Sequence, residues 1–148
     1  MKKTLSILLL MFLTTSYTIA GNIWVSTVGN DEAAGTMAAP LKTLRQALLQ
    51  AREWRRLSDK RTIRGINIIL KGGYYIDNQP IFIRPEDNGT VESPTNICSA
   101  DGENAIISGG IKVKGWQQQG KLWVARAPFN GNHRLQIRQL WVNDHKAT

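Results

Sequence analysis

Hydrophobic and polar positions along this chain change period several times, and the changes mark its elements. An apolar run from Leu5 to Leu13, broken only by Ser6, follows Lys2 and Lys3. Ile23-Trp24-Val25-Ser26-Thr27-Val28 is then dense in β-branched and aromatic residues and stops at Gly29-Asn30-Asp31, which predicts a short strand ended by a turn. Gly35 and Thr36 mark a second turn. After Pro40 the period lengthens. Leu41, Leu44, Leu48 and Ala51 recur at helical spacing, and Thr43 precedes Gln46 by the interval of a capping box, so one helix is predicted from about Leu44 to Trp54.

Short apolar phrases resume beyond it: Ile66-Asn67-Ile68-Ile69-Leu70, Tyr74-Tyr75-Ile76, Ile81-Phe82-Ile83, Asn96-Ile97-Cys98, Ala105-Ile106-Ile107, Leu122-Trp123-Val124 and Gln139-Leu140-Trp141-Val142. Glycine, proline, asparagine or aspartate fills most of the gaps. Many short strands with a single helical pattern predict an all-β body and exclude an alternating α/β one. A β-sandwich is the rival architecture, although a capped helix directly after the first strand is unusual for one.

The first apolar run has the layout of a secretory signal peptide: Lys2 and Lys3, then the run, then a polar stretch ending at Thr18-Ile19-Ala20. Residues 1–20 are expected to be removed, leaving Gly21 first and residues 21–148 as the mature part. The run is about half the roughly 20 residues needed to span a bilayer, so no stable membrane span is expected. The product would be exported, to the periplasm, the cell surface or the medium. Without Lys2 and Lys3 the chain keeps 17 Lys and Arg against 11 acids, so it remains basic at +6.

Candidate chemistry is sparse. Glu86 and Asp87 are adjacent carboxylates, but Pro85 and Asn88-Gly89 read as a tight turn, whereas glycosidase carboxylates flank a scissile bond across a cleft. Asn88-Gly89-Thr90 matches the N-glycosylation triplet. Cys98 has no partner for a disulfide and is expected to pack as a small hydrophobe. His133 and His145, the latter beside Asp144, have no zinc-type spacing and read as surface residues. Asn30 and Asp31 read as turn residues and not as a calcium site. Arg52, Arg55, Arg56, Lys60, Arg61 and Arg64 face only Glu53 and Asp59, a basic cluster read as a solvated loop, with contact to acidic polysaccharide as the functional alternative and nucleic acid not expected. Trp24, Trp54, Trp116, Trp123 and Trp141 are read as core residues, with sugar stacking possible for any that is exposed. No catalytic residue, cofactor-binding residue or metal ligand is assigned, and no cofactor is expected.

Three phrases taken in order carry a family resemblance: the stretch Ile23 to Arg52, then Ile68-Ile69-Leu70-Lys71-Gly72-Gly73-Tyr74-Tyr75, then Arg138-Gln139-Leu140-Trp141-Val142-Asn143. Between them, Ser108-Gly109-Gly110, Gly115-Trp116 and Leu122-Trp123-Val124-Ala125 fit a β-rich insertion near the start of such proteins. The chain resembles the opening of secreted right-handed parallel β-helix proteins of the pectin-lyase-like superfamily, which holds glycoside hydrolases and polysaccharide lyases. The resemblance implies the first coils of a right-handed parallel β-helix with one N-terminal capping α-helix. It implies an incomplete solenoid, because each coil buries its face only against the next. The expected function is the capping portion of an exported carbohydrate-active protein, a glycoside hydrolase acting on polysaccharide, with its catalytic coils absent from this segment. A non-catalytic carbohydrate-binding or surface-adhesion module is the alternative. The segment alone is expected to be inactive and to self-associate.

Overall fold

A computed structural model describes residues 20–77, 79–127, 129–130, 133–134, 137–143 and 145–147; the expected leader, residues 1–20, lies outside the described residues except for Ala20. The chain divides into two compact units. One comprises residues up to Tyr74 together with Ile81–Ile106, the other Tyr75–Pro80 together with residues from Ile107 onward.

The first unit is built on a parallel sheet of three strands, β1 (Gly21–Val25), β2 (Ile66–Leu70) and β4 (Thr95–Ser99), in the order β1-β2-β4. Register is residue for residue. Ile23 pairs with Ile68 and Ile68 with Ile97, while Asn22 pairs with Asn67 and Asn67 with Asn96. Strand side chains alternate between faces, so the Ile row and the Gly21-Ile66-Thr95 and Val25-Leu70-Ser99 rows share one face. Ile23, Val25, Ile66 and Ile68 are fully buried there. On the opposite face the asparagines form a ladder, Asn67 Nδ2 donating to Asn22 Oδ1 and Asn96 Nδ2 to Asn67 Oδ1, each at 3.1 Å. A slip of one residue would exchange the isoleucine row for the asparagine row, so the alternation fixes the pairing.

Helix α1 (Leu44–Arg56) lies against β1 and β2. It buries Leu44, Ala47, Leu48, Ala51 and Trp54, the stripe that the helical spacing predicts, extended by one turn beyond Ala51. Trp54 also decides why residue 21 is glycine: a β-carbon there would come within 2.9 Å of the indole. At the start of the helix Thr43 Oγ1 accepts from Gln46 N at 3.1 Å, half of the expected capping box. The other half goes elsewhere, because Thr43 N donates to Asp31 Oδ1 at 2.8 Å. The outer edge of β1 is covered by the loop that follows it: Trp24 N donates to Gly35 O, Leu41 N to Trp24 O and Ser26 N to Leu41 O, each at 2.8 Å. The outer edge of β4 has no strand paired to it among the described residues.

A short 3-10 helix (Lys60–Thr62) leads into β2, and a one-turn helix, α2 (Pro85–Asn88), precedes β4. Strand β3 (Gly73–Ile76) pairs with β5 (Ala105–Ser108). Three short antiparallel ladders lie in the second unit: β6 (Gln117–Gln119) with β7 (Leu122–Val124), β8 (Phe129–Asn130) with β9 (His133–Arg134), and β10 (Trp141–Val142) with β11 (His145–Lys146).

The chain is therefore mostly strand with few helices, and its sheets are short and unclosed. The three-strand parallel stack lies in the first unit. Three local expectations are corrected. Ile81-Phe82-Ile83 is not a strand: it lies between Pro80 and Pro85, Phe82 and Ile83 are exposed, and the Phe82 carbonyl is taken by Arg52 Nη2 at 3.0 Å. Cys98 is exposed and not packed, because it stands on the outer face of the last parallel strand. The phrase Gln139–Val142 contributes only two residues to a ladder, and that ladder is an antiparallel hairpin.

Candidate functional site

The two adjacent carboxylates diverge. Asp87 is 4 % exposed and receives Arg52 in a bidentate pair, Nε to Oδ1 at 2.5 Å and Nη2 to Oδ2 at 2.8 Å, while Arg84 N donates to Oδ2 at 2.6 Å. The Arg52 guanidinium, helped by the Arg84 amide, holds the Asp87 carboxyl below its usual range against the opposing effect of burial. Glu86 is exposed and pairs loosely with Arg84 Nη1 at 3.7 Å. One carboxylate is locked in a buried ion pair and the other stands in solvent, so the two do not face a common substrate position. The turn that was expected at this phrase is the single helical turn α2.

Arg52 and Arg55 lie one turn apart on α1 and work as a pair of staples. Arg55 Nη1 donates to Ser93 Oγ at 3.0 Å, and its Nη2 donates to Ser93 O at 2.9 Å and to Thr95 Oγ1 at 2.8 Å. Ser93 Oγ in turn donates to Thr62 O. Gly89, with φ of 73°, passes so close that a β-carbon would meet Ser93 O at 2.1 Å and Arg55 Nη2 at 2.5 Å. Arg61 pairs with Asp59 and lies 3.9 Å over the Trp54 ring. Hydrogen bonds from the Arg61 side chain and then from its backbone lower Asp59 to about 2. Arg56 pairs with Glu53 at 2.6 Å on the exposed face of α1. Two cations of the basic cluster thus fasten α1, Arg52 to the α2 segment and Arg55 to Ser93 and Thr95, while Arg56 and Arg61 hold local ion pairs, so these four are not a free solvated loop. The open depression beside it, lined by Arg55, Asp59, Thr62, Glu86 and Thr90, offers charged groups that already have partners.

Asp31 does more than close a turn. Its carboxylate accepts from Lys42 N at 2.9 Å, Thr43 N at 2.8 Å and Thr43 Oγ1 at 2.9 Å, tying the first loop to the helix start. Asn30 Oδ1 accepts from Glu32 N at 3.0 Å. Sequence spacing gave no sign of the contact from Asp31 to Thr43.

His145 is exposed on β11, while Asp144 and the side chain of His133 lie outside the described residues. Among the described residues no cluster of three or more His, Cys, Asp or Glu is placed to hold a metal ion, and no helix is long and apolar enough to cross a membrane. The tryptophans separate by unit. Trp54 is buried and Trp24 half-buried in the first, whereas Trp116, Trp123 and Trp141 in the second are 42 %, 64 % and 58 % exposed.

Comparison with known proteins adds to this geometry. A solved glycoside hydrolase superposes on 87 % of the chain with a TM-score of 0.83 and 52 % identity. The family described as GH141 insertion domain matches residues 120–148. Pectate lyase PEL9 of Emericella nidulans is 35 % identical over 91 residues, 62 % of this chain. A solved complex of XylC with xylose is 25 % identical over 69 % of the chain, with a TM-score of 0.50. The chain spans about a fifth of the length of its first relatives, 19 % of the lyase and 22 % of the glycoside hydrolase. Together these findings support a carbohydrate-active relationship of the glycoside hydrolase or pectin-lyase-like kind.

Proposed function

We propose that this chain is the opening segment of an exported right-handed parallel β-helix protein that hydrolyses polysaccharide. The carrying observation is the sheet β1-β2-β4, in which each strand stacks on the last residue for residue with helix α1 laid against the first two. Such stacking buries one continuous apolar row and leaves the final strand prepared for another coil. In this reading the segment caps and nucleates the solenoid, and the groups that cleave the glycosidic bond come from coils that follow. Asp87 and Glu86 take no part in that chemistry, since one is committed to Arg52 and the other faces solvent.

The 52 % identity to a glycoside hydrolase favours hydrolysis over elimination, while the pectate lyase likeness keeps a lyase as the second reading. The test is to incubate a longer product containing this segment with plant and algal polysaccharides, beside residues 21–148 alone. New reducing ends without an unsaturated sugar product support hydrolysis. An unsaturated, ultraviolet-absorbing product would replace that reading with the lyase. Binding without cleavage by the longer product would replace it with a binding module. Residues 21–148 are expected to cleave nothing; release of sugar that is lost on Glu86→Gln would overturn the assignment of catalysis to other coils.

A further inference from the structure

Three exposed apolar side chains of the first unit stand beside arginines. In the segment between Pro80 and Pro85, Phe82 and Ile83 are 68 % and 62 % exposed, and Leu49 on α1 is 47 % exposed. Two consecutive uncovered side chains mean that the segment stands proud of the surface around it. Leu49 and Phe82 line a shallow recess of about 170 Å³ together with Arg45, Arg52 and Arg84, and among the described residues no acid lines it. Arg52 is engaged within the protein: it holds Asp87 and donates to Phe82 O at 3.0 Å. That bond fixes the segment and satisfies the carbonyl at its tip, which lowers the cost of moving the tip out of water. Arg84 is 61 % exposed and holds Glu86 only loosely, at 3.7 Å.

These features narrow what can cover the face. The recess is smaller than the roughly 300–1,000 Å³ of a pocket that encloses a small ligand. A second copy of the same face would bring arginine against arginine. Further strands of the sheet would add at the open edge of β4, whereas α1 lies against β1 and β2, so growth of the sheet does not by itself cover this side. Protruding apolar side chains with a cation at their base match a surface that is anionic outside and apolar just beneath.

We propose that this face docks on an anionic lipid bilayer, with Phe82, Ile83 and Leu49 entering the boundary between headgroups and acyl chains and Arg84 pairing with lipid phosphate. The contact lies on the membrane and does not span it. It is independent of the carbohydrate reading: a protein that holds this segment would sit at a lipid surface whether or not it cleaves sugar.

The experiment is vesicle flotation of the longer product containing this segment, without residues 1–20, whose apolar run would itself enter lipid. Flotation separates bound protein from self-associated protein, which sediments. Vesicles of phosphatidylcholine mixed with an equal amount of phosphatidylglycerol should carry the protein upward, vesicles of phosphatidylcholine alone should not, and added salt should weaken the binding. Phe82→Ser should bind the mixed vesicles about tenfold more weakly. Arg84→Gln should bind about fivefold more weakly, with Arg84→Lys restoring binding. Glu86→Gln, which releases Arg84 from its loose partner, should bind more tightly, a gain that a purely structural role for Arg84 does not give. Val28→Ser, at an exposed apolar residue outside the recess, should change nothing. Circular dichroism checks that each variant is folded. Equal flotation with both vesicle types, or flotation unchanged in Phe82→Ser and Arg84→Gln, overturns the proposal. No flotation, with association between copies that Phe82→Ser abolishes in light scattering, overturns it in favour of a second copy.

Discussion

At the scale of single residues, Glu86 and Asp87 show what a sequence can and cannot convey. They are neighbours with the same functional group, and nothing local separates them. What separates them is Arg52, 35 positions earlier, whose guanidinium reaches one carboxylate and not the other. Asp31 and Thr43 repeat the lesson over 12 positions. The nearest signal in the sequence is that Arg52 and Arg55 flank the apolar stripe of a helix, where long cations can lie over the edge of a core. Removing the Asp87 partner would leave the Arg52 charge half-buried and uncompensated. Asp87→Ala is expected to cost roughly 3 kcal/mol, the lower end of the range for buried pairs because Arg52 keeps some access to water, as read by urea unfolding. The acid dependence follows from the direction of the shifts. Asp87 and Asp59 have folded values below their unfolded ones, so their contribution is present above about pH 4 and is lost as pH falls through the folded values, about 2 for Asp59. The melting temperature should fall below about pH 4, and the fall should be shallower in Asp87→Asn. A variant as acid-sensitive as the parent would show that the pair does not govern the transition.

At the scale of elements, helix α1 was legible because periodicity and capping spacing both act within a few residues. Its apolar stripe appears where spacing placed it, and only two residues, Arg55 and Arg56, exceed the expected end. Most strands were legible for the same reason. Ile81-Phe82-Ile83 was not, because an apolar triplet records only local preference, while a strand also needs a partner edge. Here the two flanking prolines and the bond from Arg52 to the Phe82 carbonyl leave none. Two adjacent leucines of α1 give a clean test of docking. Leu48 is 2 % exposed and Leu49 is 47 % exposed. Leu48→Ala should cost about 2–5 kcal/mol through lost burial and a residual cavity. Leu49→Ala, the same chemical change on the outer face, should stay within roughly 0.5 kcal/mol. Equal costs, measured by chemical unfolding, would mean that the helix is not held against β1 and β2 as described.

At the scale of the whole molecule, the parallel sheet has one closed side and one open side. The loop through Gly35 and Leu41 satisfies the outer edge of β1, whereas β4 offers its outer edge to no described strand. The bonds from Ile66 N to Pro94 O and from Ala100 N to Leu70 O show which residues of β4 face β2. By alternation along a parallel strand, the backbone groups of Thr95, Ile97 and Ser99 face away from it. The isoleucine row records the same asymmetry, since Ile23 and Ile68 are fully buried and Ile97 is 38 % exposed. Sequence alone could not assign this, because the three strands have similar apolar patterns and differ only in which neighbour each acquires. An open strand edge with an uncovered apolar row is a template for pairing. Residues 21–148 are therefore expected to self-associate in a concentration-dependent way. Ile97→Lys, which places a charge on the exposed end of that row while leaving the bonds to β2 intact, should shift the chain toward monomer, as read by light scattering. A charge on the closed side and the opposite face of the sheet, Trp24→Lys, should leave association unaltered. Association that ignores Ile97→Lys would move the sticky surface from β4 to the exposed tryptophans of the second unit, where Trp123→Ser would then be the variant to restore the monomer.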